Sequence, residues 1–206
     1  MIANGNKMNK FELYGLQRTG TTWVKNFLEL NFECQEANTS WKHSIQPPVL
    51  QHPTCVIFKS PYTWVESILF REPADLPVRY PEVLAAGQHM SYNSYGECNI
   101  NIKRLVELYS LFYNNWAAVA DQVFVYEELL DNDDMQMLVG ESLGLVRKDQ
   151  PWEEPPLGVF MQEAFTKDMY PYYKAQLPER LEDNHIQLIS RIMPEDFWVT
   201  TRHNKL

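Results

Sequence analysis

Apolar residues fall along this chain in blocks that switch between two periods. Phe11-Glu12-Leu13-Tyr14 is short and mostly apolar and predicts a strand. From Trp23 to Leu30 the apolar residues return at helical spacing and gather on one side. Cys55-Val56-Ile57-Phe58 is apolar throughout, the pattern of a strand covered on both faces. Helical spacing resumes from Tyr62 to Phe70. It does so again between residues 100 and 120, where Leu105, Leu108, Leu111, Phe112 and Trp116 form one stripe. Val123-Phe124-Val125-Tyr126 predicts a third strand. A helix follows over 131–143 with Gly144 as its stop, and Leu181 to Ile192 gives a last helix. Strands alternating with helices predict an α/β fold with a central parallel sheet flanked by helices.

The stretches between these blocks are polar or rich in proline. Residues 1–10 read as a flexible leader and 11–206 as a single domain, since 206 residues support one full core. Gln35 to Pro53 reads as a polar connection, and residues 150–158 as a proline-rich loop. Residues 71–99 carry Pro73, Pro77 and Pro81 with Tyr80, Tyr92 and Tyr95 and little periodicity. So long an insert is expected to be a lid or substrate-binding segment, or else a plain surface loop.

Charge narrows the partners. A net charge of −9 argues against a general nucleic-acid binder and against adhesion to an acidic membrane surface. One concentrated basic pocket for an anion remains compatible with it. The three cysteines, Cys34, Cys55 and Cys98, are far apart and suggest neither a disulfide framework nor a zinc site. With no apolar run of signal-peptide or membrane-spanning type, the expectation is a soluble, cytoplasmic protein.

The chemistry concentrates at Gly15-Leu16-Gln17-Arg18-Thr19-Gly20-Thr21-Thr22-Trp23. Two glycines stand between a predicted strand and a predicted helix, the context in which backbone N–H groups converge on a phosphate or sulfate. The fold expectation is therefore P-loop-like. Thr21 occupies the place of the lysine that an ATP-binding loop sets on the β- and γ-phosphates, and the positive charge is Arg18 instead. A sulfuryl group carries less charge than a phosphoryl group, so no metal is expected.

The run Arg18-Thr19-Gly20-Thr21-Thr22-Trp23 resembles the 5′-phosphosulfate loop of sulfotransferases that use 3′-phosphoadenosine 5′-phosphosulfate (PAPS). Cytosolic members usually show Pro-Lys-Ser-Gly-Thr-Thr-Trp there. Gln17 departs from the proline and Arg18 from the lysine, which trades a point donor for a fork. The resemblance implies that Arg18, Thr19, Gly20, Thr21 and Thr22 hold the phosphosulfate and that Trp23 stacks on adenine. It implies that Lys59 and Ser67, eight positions apart, grip the 3′-phosphate. It also gives Tyr126 of Val125-Tyr126-Glu127-Glu128-Leu129 an adenine contact, a place that core packing would equally explain.

By the same resemblance His43, after Lys42, is the base that deprotonates an acceptor hydroxyl. His52 and His89 are rivals, and a carboxylate from residues 66–97 is a further alternative. His185 and His203 read as surface residues. The Arg-Lys-Gly segment that closes over the 3′-phosphate in cytosolic members has no counterpart here, and Lys167 or Lys174 stands in that region. Asp131-Asn132-Asp133-Asp134 reads as a helix start, because calcium-loop spacing is absent. The implied activity transfers a sulfuryl group from PAPS to a hydroxyl or amine of a small molecule or glycan. The rivals are a small P-loop kinase and a non-catalytic nucleotide-binding relative.

Overall fold

The computed structural model describes residues 8–71, 102–130, 132–155, 181–195 and 197. Residues 72–99 of the expected lid, with His89, Cys98, Lys167, Lys174 and His203, lie outside the described residues.

The architecture is α/β. Strands β1 (Asn9–Tyr14), β2 (Cys34–Glu36), β3 (Thr54–Phe58) and β4 (Gln122–Val125) form one all-parallel sheet in the order β2-β1-β3-β4. Around it lie helices α1 (Thr21–Asn31), α2 (Pro61–Arg71), α3 (Ile102–Trp116), α5 (Asp133–Ser142) and α6 (Asp183–Ile192), with a one-turn helix α4 (Tyr126–Leu129) directly after β4. No described helix is long and apolar enough to cross a membrane.

Helices cover both faces of the sheet, which is why β3 is buried at every position. Its side chains alternate between two cores. Val56 and Phe58 join Tyr14, Trp64, Tyr109, Phe112, Trp116 and Ile189 on the side of α2, α3 and α6. Cys55 and Ile57 join Phe11, Leu13, Val24, Phe27, Phe124 and Val139 on the side of α1 and α5. Each large apolar side chain enclosed in this way contributes about 1.5–3 kcal/mol relative to exposure.

Several boundaries differ from the sequence expectations. β1 begins at Asn9, so Asn9 and Lys10, expected in the leader, belong to the sheet. The connection after α1 contains β2, whose three residues pair with Asn9, Lys10 and Phe11. Tyr126 starts α4 rather than ending β4, because β4's ladder with β3 closes at the Phe58–Val125 pair. At α5, Asn132 caps the helix by accepting from the Met135 N–H at 3.3 Å. Gly144 follows at φ 66°, the left-handed position that ends many helices.

The strand order fixes where a ligand belongs. From β1 the chain passes to β2 on one side and then to β3 on the other, so β1 and β3 flank the topological switch point. In open parallel sheets the binding crevice lies there, outside the carboxyl ends of the strands. The glycine loop leaves the end of β1, and Lys59 directly follows β3.

Candidate functional site

The loop between β1 and α1 is tied at its root and open at its tip. The Gly15 N–H donates to the Lys42 carbonyl at 3.0 Å. A side chain at Gly15 would bring its Cβ within 2.7 Å of the Ile57 carbonyl, so only glycine lets the loop pass this close to β3. The Leu16 carbonyl accepts from the Thr19 N–H at 3.2 Å and its hydroxyl at 2.7 Å. The Gln17 carbonyl accepts from the Trp64 indole at 2.8 Å, which pins the loop to α2.

Beyond Gln17 the backbone turns twice through the left-handed region, at Arg18 (φ 68°) and Gly20 (φ 86°). For arginine this conformation costs about 1–2 kcal/mol, a local strain that the surrounding structure holds in place. Helix α1 starts at Thr21 with no side-chain cap and no acidic residue in its first turn. Its first N–H groups lack intrahelical partners, and its dipole favours an anion there.

Lys59 follows β3 and Ser67 lies in α2. Both are buried, and the Lys59 ammonium donates to the Ser67 hydroxyl at 2.6 Å. Ser67 donates in turn to the Thr63 carbonyl at 2.7 Å, one helical turn back. The eight-residue spacing works because α2 begins immediately after Lys59 and carries Ser67 around to the side chain. Glu127, also buried, accepts from the Ser60 N–H at 3.0 Å and from the Thr63 hydroxyl at 2.5 Å. Burial pushes its carboxyl above the ordinary range, and the Lys59 charge pulls the other way.

Lys42 and His43 reach the loop because residues 37–43 run along the open edge of β1. The Ala37 N–H donates to the Phe11 carbonyl at 2.8 Å. The Asn38 side chain then takes both backbone groups of Leu13, accepting at 2.8 Å and donating at 2.7 Å. His43 Nδ1 lies 2.6 Å from the Gly15 carbonyl. A carbonyl only accepts, so Nδ1 carries the proton and the neutral ring's basic nitrogen is Nε2. Lys42 donates to the Thr22 hydroxyl at 3.1 Å. Burial lowers its pKa, with Glu36 opposing and Lys25 reinforcing that shift. His52 sits at the opposite end of the sheet, just before β3, where its N–H donates to Glu12.

Tyr126 packs its ring on Gly20, where any Cβ would enter the ring. Trp23 is buried, stacked on Phe27 at 5.5 Å and met edge-on by Tyr126 at 5.9 Å. Gln17 Oε1, Trp23 Nε1 and Ser60 Oγ are three of the six side-chain atoms that are buried without a hydrogen-bond partner among the described residues. They lie in the loop, in α1 and beside Lys59.

The fold thus brings Arg18 to Trp23, Lys42, His43, Lys59, Ser67 and Tyr126 to the carboxyl ends of β1, β3 and β4, together with the neighbouring connection. Two residues of this arrangement have no role assigned from the sequence: Lys42 stands there only as the residue before His43, and Glu127 only as part of the Tyr126 segment. No group of three or more His, Cys, Asp or Glu among the described residues is placed to hold a metal ion. Comparison with protein-family models, with curated proteins and with solved structures finds no match to this chain.

Proposed function

We propose that this chain is a P-loop-like sulfotransferase that moves the sulfuryl group of PAPS to a hydroxyl of a small-molecule or glycan acceptor. The observation that carries the reading is the buried Lys59–Ser67 pair at 2.6 Å, which follows β3 while the glycine loop follows β1, the two strands that flank the switch point. A nucleotide bearing phosphate at both 5′ and 3′ positions needs two such anion sites, and ATP needs only the first. The buried polar atoms left unpartnered around the crevice add support, since such atoms ordinarily find partners.

In this reading the loop amides and the start of α1 hold the 5′-phosphosulfate, while Lys59 and Ser67 hold the 3′-phosphate. His43 Nε2 takes the acceptor's proton as the acceptor oxygen attacks sulfur. The bond from sulfur to the bridging phosphate oxygen breaks in line. Arg18 and Lys42 neutralise the charge that develops on the departing phosphate, and the protein needs no metal for this. The products are a sulfate ester, adenosine 3′,5′-bisphosphate and a proton held on His43.

Transfer of radiolabelled sulfate from PAPS to a panel of sugars, phenols and steroid alcohols tests the reading. Label in any acceptor, lost in Arg18→Ala, is the expected result. Calorimetry separates the rivals. Preference for magnesium-ATP over adenosine 3′,5′-bisphosphate would indicate a kinase. Tight bisphosphate binding with no acceptor labelled would indicate a non-catalytic relative.

A further inference from the structure

We propose that Glu127 and Tyr109 together are the positioning device that aims Lys59 at the 3′-phosphate, and so set discrimination between 3′-phosphorylated and plain adenine nucleotides. The proposal rests on the reading of the crevice as a PAPS site. Its basis is one peptide unit, Lys59–Ser60, held from both ends. Its carbonyl accepts from the Tyr109 hydroxyl. Its N–H donates to both Glu127 oxygens, each at 3.0 Å. Glu127 also takes the Thr63 hydroxyl at 2.5 Å, within the first turn of α2.

All of these residues are buried, so water does not compete for the bonds. The peptide plane leaving Lys59 is therefore fixed by α3 on one side and α4 on the other. With that plane fixed, the lysine side chain is directed to Ser67, two turns along α2. Glu127 follows Tyr126, whose ring packs on Gly20. One short helix thus fixes the spacing between the phosphosulfate loop and the 3′-phosphate site, the distance that a bisphosphate measures.

A structural carboxylate or a simple counter-charge to Lys59 would behave differently, and the sign of the effect separates them. Neutralising a counter-charge strengthens the pull of Lys59 on an anion. Disturbing an aiming device weakens it. Adenosine 3′,5′-bisphosphate and adenosine 5′-phosphate are titrated calorimetrically into the wild-type protein, Glu127→Gln and Tyr109→Phe. The expected result is that both variants lose about tenfold or more of the preference for the bisphosphate, the scale of one charge-assisted hydrogen bond. Affinity for the monophosphate stays within about threefold.

Tyr109→Phe changes no charge and keeps the ring, so it decides the matter even if Glu127→Gln does not fold. A preference that is unchanged or increased in Tyr109→Phe overturns the proposal, and so does equal weakening of both nucleotides. A wild-type protein with no preference for the bisphosphate overturns the site reading itself, and the proposal with it. Wild-type preference retained in full by the variants overturns the proposal alone.

Discussion

Replacing Gly20 with alanine tests how closely the loop and α4 fit. Gly20 sits at φ 86°, where an L-residue pays about 1–2 kcal/mol. Its new Cβ would enter the Tyr126 ring, an overpacking that costs about 1–3 kcal/mol. The sum is about 2–5 kcal/mol. Gly144 is the internal control, because it has φ 66° but no atom within 4 Å of the added Cβ. Gly144→Ala should therefore pay the backbone cost alone. Urea unfolding of the two variants should differ by about 1–3 kcal/mol at equal m-value. Adding Tyr126→Ala to Gly20→Ala should recover part of the difference, since the two residues are in contact and their effects couple. A Gly20→Ala protein no less stable than Gly144→Ala would refute the packing argument and would unseat Tyr126 as a wall of the loop.

Arg18→Gly removes a left-handed arginine, so it should keep or raise stability by up to about 1 kcal/mol. The same change should cut sulfate transfer by about 100–1000-fold, the loss typical of one preorganised donor to developing charge. Thermal melts and a transfer assay check the two halves. Lys59→Met should destabilise by about 3–5 kcal/mol at neutral pH, because it leaves the Glu127 carboxylate buried without its cation. That loss should shrink as pH falls, since Glu127 can then protonate, and in the Lys59→Met/Glu127→Gln double variant. Urea titrations across pH read it.

Burial raises the Cys34 thiol from 9.0 to about 12. The folded chain therefore keeps a proton that the unfolded chain has lost, and stability falls as pH rises through that window. Cys34→Ala should flatten that alkaline slope by about 1.4 kcal/mol per pH unit. Gly140→Ala should destabilise despite better helix propensity, since its Cβ would meet the Phe32 ring. Chemical denaturation measures both.

What could be read from sequence followed from local patterns strong enough to stand alone. β3 was visible because its apolar run needs cover on both faces, and α1 because its apolar side repeats and glycines precede it. Lys59 and Ser67 were paired through the family resemblance, and the structure joins them because a helix starting directly after a strand carries Ser67 round to the lysine. β2 was not visible. Cys34–Glu36 is a three-residue edge strand with Gln35 exposed, and only its pairing with Asn9 to Phe11 makes it a strand.

α4 was hidden by the apolar run ending at Tyr126, which continues the strand pattern past the point where the ladder stops. Glu127 was legible only as the residue after Tyr126, because its partners lie far away in the sequence. Its burial depends on the Ser60 N–H and the Thr63 hydroxyl, contributed 67 and 64 positions away. Lys42 and His43 reach the loop through Asn38 imitating a strand along β1, a tertiary arrangement with no periodic signature.

A crystal structure of the protein with adenosine 3′,5′-bisphosphate tests the central claim most directly. The account predicts the 5′-phosphate on the amides of residues 18–22 and the 3′-phosphate between Lys59 and Ser67. Nucleotide bound away from the carboxyl ends of β1 and β3, or with its 3′-phosphate out of reach of Lys59, would contradict it.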